Sequence, residues 1–157
     1  MGRKSVKENK TYYQQSREAA DLTRDEAAEK TGFISADKIE KIESEKTLPR
    51  PEEVLAMATA YKAPELPNYF CSHECPIGIK YIPEIKDKPL SQITIDMLAT
   101  LNALERDKNR LIEIVVDGKI DEDEREDFSA IRAKLNEMAA AIDSLSLWVN
   151  KTLEQDK

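Results

Sequence analysis

Two cysteines and one histidine are all the thiolate and imidazole metal ligands that 157 residues provide. They cluster as Cys71, His73 and Cys75. A closed tetrahedral zinc site needs four strong ligands, so this group could be completed only across a dimer axis. The spacing leaves open a shared metal site, a redox-responsive thiol pair and two incidental thiols. The shortage of ligands favours the last, and no cofactor is expected. Glycine is equally scarce at four residues, with no glycine-rich phosphate loop. Because the single His73 also lacks an identifiable nucleophile to pair with, an enzyme is not expected. No apolar run approaches membrane-spanning length and no apolar signal core opens the sequence, so the expectation is a cytoplasmic protein without membrane contact.

Basic excess is missing too. The formal charge is -7, with 40% hydrophobic and 35% charged residues, a composition that suits a soluble, helix-rich protein. The acid is unevenly placed. Residues 1–66 hold 12 Lys and Arg against 13 Asp and Glu, and the remainder holds 12 against 18. Residues 1–10 form a small basic arm, with Arg3, Lys4, Lys7 and Lys10 against Glu8. Such an arm could follow a phosphate backbone or minor groove, or be an ordinary loose terminus.

The segment Leu22 to Glu43, LTRDEAAEKTGFISADKIEKIE, carries the most information. Thr23 is placed to cap a helix whose first turn holds Asp25 and Glu26, and Gly32 supplies the positive φ that ends it. Ala27 and Ala28 are small enough to let another helix cross closely. A second capped segment starts at Ser35, with Ile39 and Ile42 on one inward face and Lys38 and Lys41 beside them. Two short helices joined by a tight turn make a helix-turn-helix, whose second helix lies in a DNA major groove.

From about Tyr13 to Leu66 the chain resembles the phage Cro/repressor-like (XRE) helix-turn-helix family. Leu22 and Thr23 stand where that family has Leu-Ser, and Arg24 stands where it usually has a Gln that touches phosphate and base edges. Ala28, Gly32, Ile39, Ile42 and Glu43 match its pattern, as do Lys46 and Pro49 in the following loop and Val54, Leu55 and Ala58 in its fourth helix. The resemblance implies a five-helix lambda-repressor-like fold and an ion pair between Arg17 and Glu43. It also implies that Arg24 and Lys46 stand at DNA-contacting positions, and with the reading of the two helices the residues expected to approach double-stranded DNA are Thr23, Arg24, Ser35, Lys38, Lys41 and Lys46. Three features depart from the family. The turn from Gly32 to Ser35 is one residue longer, Glu45 replaces a preferred Gly, and the recognition helix carries Asp37 and Glu40 without Arg, Asn or Gln.

Beyond Lys62, the prolines Pro64, Pro67, Pro76, Pro83 and Pro89 preclude a long helix. Leu66, Tyr69 and Phe70 are expected to close the first domain on a short fifth helix, and Tyr81, Ile82 and Ile85 to form an extended, packed connector. Asp117 to Glu124 imitates the second half of an EF-hand loop. Its first half would fall inside a helix, so calcium binding is not expected.

The last third has helical periodicity of the coiled-coil kind. Met97, Leu101, Leu104, Leu111 and Val115, with Lys108 between, form one seam, and Phe128, Ile131, Leu135, Met138, Ile142, Leu145 and Val149 form its partner. An antiparallel hairpin follows, turning at Asp117-Gly118 with Asp121 and Glu124 in a capping-box relation. Leu98, Ile112, Leu147 and Trp148 lie off these seams and are expected to form a dimer surface.

The reading is an all-α protein with four regions: a basic arm at 1–10, an XRE-like domain at 11–71, a Pro-rich connector at 72–89 and a hairpin at 90–157. The expected function is a sequence-specific DNA-binding transcriptional regulator acting as a homodimer. The competing expectation is a protein-interaction adaptor that keeps the fold without binding DNA.

Overall fold

A computed structural model describes residues 9–155. Residues 1–8, and with them Arg3, Lys4 and Lys7 of the expected basic arm, lie outside the described residues. The described residues are all-α, and they divide into two units, residues 85–149 and the remainder.

In the first unit, α1 (Tyr12–Ala19) is capped by Thr11, whose hydroxyl accepts from Gln14 N. The helices α2 (Arg24–Thr31) and α3 (Ala36–Glu43) follow, and then α4 (Pro51–Tyr61), which begins on a proline where a missing N–H costs nothing. The domain closes with α5 (Leu66–His73). These helices enclose one core in which Ile39, Met57, Leu66 and Val54 are essentially without solvent exposure. Each such side chain contributes on the order of 2 kcal/mol through burial.

The helix α5 runs on through Cys71 and His73, and a short α6 (Gly78–Tyr81) turns back against it. The expected extended, packed connector holds only in part: residues 82–89 form no regular element and Ile85 is half-buried, but Tyr81 lies in α6 and both it and Ile82 are exposed. The close approach depends on Gly78: a Cβ there would lie 2.0 Å from the carbonyl oxygen of Cys71. Cys71 and Cys75 are free, half-buried thiols. The ring of His73 stacks on Tyr69, which stacks in turn on Tyr12. Among the described residues no three His, Cys, Asp or Glu side chains converge as a metal site.

The second unit is a helical hairpin made by α7 (Leu90–Val115) and α8 (Arg125–Gln155), the latter ending in residues grouped with the first unit. Asp107 pairs with Lys134 and Arg110 with Asp127, so the helices run antiparallel. At the turn, Gly118 takes φ 74° and the Glu124 carboxylate accepts from Asp121 N at 3.1 Å.

The seam differs from the expected one. Ile93, Thr100 and Ile114 are buried on α7, with Asp107 half-buried in the same row, and Ile131 and Ala141 are buried on α8. Of the expected seam, Met97, Leu104, Leu111, Phe128, Ile131, Met138 and Leu145 are buried or half-buried, but Leu101, Lys108, Val115, Leu135, Ile142 and Val149 are exposed. The hairpin accepts polar Asp107 and Lys134 in its interface because they neutralise each other there. That choice rotates an apolar row of each helix outward. No helix among the described residues is long and apolar enough to cross a membrane.

Candidate nucleic-acid interface

The two helices of the motif are set by their caps. Thr23 Oγ1 accepts from Glu26 N at 3.2 Å, and the Glu26 carboxylate accepts from Thr23 N at 2.8 Å. This reciprocal capping box satisfies two amide donors, and an N-cap of this kind is worth about 1 kcal/mol. The bonds also hold the Glu26 carboxyl below its ordinary pKa. Gly32 ends α2 at φ 78°, and Ser35 Oγ accepts from Lys38 N at 3.2 Å to start α3. The turn between the helices is residues 32–35, with Ile34 buried beneath it and Phe33 exposed.

Ile39 and Ile42 anchor α3 to the core, which leaves Asp37, Glu40 and Lys41 facing water and Lys38 half-exposed. The axial rotation of α3 is fixed by its last residue. Glu43 is buried, and it accepts from Arg17 through Nε at 2.5 Å and Nη2 at 2.9 Å. Arg17 also donates to Leu22 O at 2.6 Å. Burial works against the Arg17 charge, but the bonds to Glu43 outweigh it and raise its pKa further. Tyr61 lies in the field of the same pair. Burial and the Glu43 carboxylate push its phenol well above the ordinary range.

Arg24 joins this cluster, donating from Nε to Glu43 Oε2 at 2.9 Å. One carboxylate therefore ties α1 and the start of α2 to the end of α3. No local pattern in the sequence predicts the connection Arg24–Glu43; only the opposite charges near either end of the motif point to it.

The remaining cations are also partly occupied. Lys41 pairs with Asp37 at 2.7 Å one turn earlier, an attraction that raises its pKa, and Lys38 lies 3.8 Å from Glu53. Lys46 is exposed, and among the described residues it makes no ion pair. Its backbone is set by the turn after α3, where Lys46 N donates to Lys41 O and Glu45 takes φ 58°. This left-handed position is the one at which a glycine would be unstrained. The surface thus brings Ser35, Lys38, Lys41 and Lys46 to the α3 side, with Arg24 braced at its rim and Thr23 committed to its cap.

Residues 14–67 match the family model of a helix-turn-helix domain, and this part of the chain is one. Helix-turn-helix domains as a class occur in DNA-binding regulators. The match covers about a third of the chain and leaves the hairpin outside it. Neither a curated protein nor a solved structure gives a significant match.

Proposed function

We infer that the protein is a non-enzymatic, cytoplasmic, sequence-specific transcriptional regulator of the XRE type, which binds double-stranded DNA as a homodimer. The observation that carries this reading is the clamp on α3. Glu43, held by Arg17 and Arg24, gives the helix a single orientation in which its outer face is open to a duplex. A groove reader needs that rigidity, because a base contact is lost when a side chain is misplaced by about an ångström.

Affinity is the harder requirement. With Lys38 and Lys41 each beside a carboxylate, one domain offers few uncompensated charges to phosphate, the term that dominates protein–DNA affinity. Linking two domains converts two weak half-site contacts into useful binding, with the recognition helices about one DNA turn apart, roughly 34 Å. The same pairing of cations favours the second reading, an adaptor that keeps this fold for a protein partner. Selection from a random-sequence duplex library at two salt concentrations separates them. Enrichment of one motif with salt-sensitive retention is expected; no retention at the lower salt would select the adaptor.

A further inference from the structure

The exposed apolar rows of the hairpin lie on one side of it. In α7 the inward row Ile93, Thr100, Asp107 and Ile114 is followed, one residue on, by Thr94, Leu101, Lys108 and Val115. In α8 the row Asp127, Lys134, Ala141 and Trp148, exposed only at Asp127, is followed by half-buried Phe128 and by exposed Leu135, Ile142 and Val149. One residue turns a helix by about 100°. Because the helices run antiparallel, that step turns both to the same side of the hairpin. Leu98 and Ile112 flank the α7 row and are 54% and 52% exposed, with Leu101 and Val115 at 50%. Leu147, by contrast, is 7% exposed within a single chain, so it is not part of this face, and Trp148 is half-buried.

We propose that a second copy of this chain covers this face, with its α7 packed antiparallel on α7 about a twofold axis between Glu105 and Lys108. This rests on the dimeric reading above and assigns its interface. Two observations select a second copy over other occupants. The first is the symmetry of the stripe. An axis at that point sets Glu105 against Lys108, Leu101 against Ile112, and Leu98 against Val115 of the other copy, so that every apolar position meets an apolar one and each charge its opposite. Within one chain Glu105 and Lys108 pair with each other at 3.5 Å, but at 75% and 60% exposed they hold that pair only weakly and can exchange it for the partner copy's charges. The second is area. The seven aliphatic residues of the face are 37–54% exposed, roughly 600 Å² on one copy, so that burying all of it on both copies would reach about 1,200 Å², the lower bound of a stable specific interface.

Sedimentation equilibrium of the full chain tests this, with circular dichroism confirming helix content for each variant. The parent is expected to dimerise at micromolar concentration. Leu101→Glu and Leu135→Glu should each weaken dimerisation on the order of 30-fold or more, as truncating or charging the centre of an interface does. Ile95→Glu, on an exposed position outside the face, should leave it unchanged. E105K and K108E should each weaken the dimer by placing like charges together, and the double reversal should restore it. A dimer that survives both apolar variants places the interface elsewhere and overturns the proposal, while the dimeric regulator stands. Failure of the double reversal to restore a dimer lost in the single variants overturns the α7 register. A parent monomeric at every concentration overturns both the interface and the dimer, and duplex selection then decides separately whether DNA is bound.

Discussion

Arg24 donates from Nε to Glu43 Oε2 at 2.9 Å, joining the first residue of α2 to the last residue of α3. The family resemblance places the arginine where a side chain contacts DNA, yet its guanidinium is held by an internal carboxylate. It is still 39% exposed, so its outer edge remains open. Its role is first to position the recognition helix.

Glu43→Ala should therefore do more than remove one pair. Arg17 would be left buried without its partner, a loss of about 3 kcal/mol for a pair of this burial. Urea unfolding of the full chain is expected to show the domain's transition at clearly lower denaturant, and Arg24→Ala should lower it far less because Arg17 remains paired. Equal midpoints for Glu43→Ala and parent would show that the clamp contributes no net stability.

Lys46 and Lys38 should separate in DNA titrations. Replacing Lys46 by Ala is expected to weaken all sequences alike and to reduce the slope of log affinity against log salt by about one. Lys38→Ala should instead change preference at one base position, since it sits at the start of the recognition helix. Unchanged binding by both would remove α3 and its loop from the interface.

Glu45 holds a left-handed backbone conformation at φ 58°, which costs a non-glycine residue roughly 1–2 kcal/mol, and its carboxylate is exposed next to Lys46, the cation proposed to meet phosphate. Glu45→Gly relieves the strain but loosens the unfolded chain, offsetting about 0.4–1 kcal/mol of the gain. The expected result is unchanged or slightly raised thermal stability together with tighter DNA binding. A lower melting temperature would show that Glu45 makes a compensating contact.

Gly78→Ala tests the packing of α6 on α5. The new Cβ would meet backbone, the Cys71 carbonyl, at 2.0 Å, and backbone does not yield as a flexible side chain does. The variant is expected to displace α6, seen as faster amide exchange across residues 75–82. Exchange matching the parent would mean that α6 accepts the methyl group without moving.

Glu74 gives the domain a pH dependence. Burial raises its carboxyl above the ordinary 4.5, Glu45 adds to the rise, and the hydroxyl of Tyr13, donating at 2.7 Å, opposes it. A carboxyl whose folded pKa is raised holds its proton more tightly when folded. Its stabilising contribution is thus fully present below 4.5 and is lost as pH rises through the folded value. Glu74→Gln stays neutral, so its melting temperature should gain on the parent from acid toward neutral pH. A constant difference across that range would show that Glu74 does not titrate differently on folding.

The local structure of the first domain is legible in its sequence. Thr23, Gly32 and Ser35 act through the backbone of their own neighbours, and Ile39 and Ile42 follow helical spacing, so short-range rules sufficed to read both helices and the turn. The Arg17–Glu43 pair was accessible only through family resemblance, as its partners are 26 residues apart. Other features depend on which elements meet. Arg24 was recruited by Glu43 because α2 begins where α3 ends, and α6 settled on α5 because Gly78 lacks a side chain. In the hairpin, heptad spacing marked two apolar rows per helix but could not say which would turn inward. Pairing of Asp107 with Lys134 in the interface accompanied one rotation of the helices, and that rotation left Leu101, Leu135 and Ile142 facing outward. Periodicity is a property of one helix, whereas the choice of seam belongs to two.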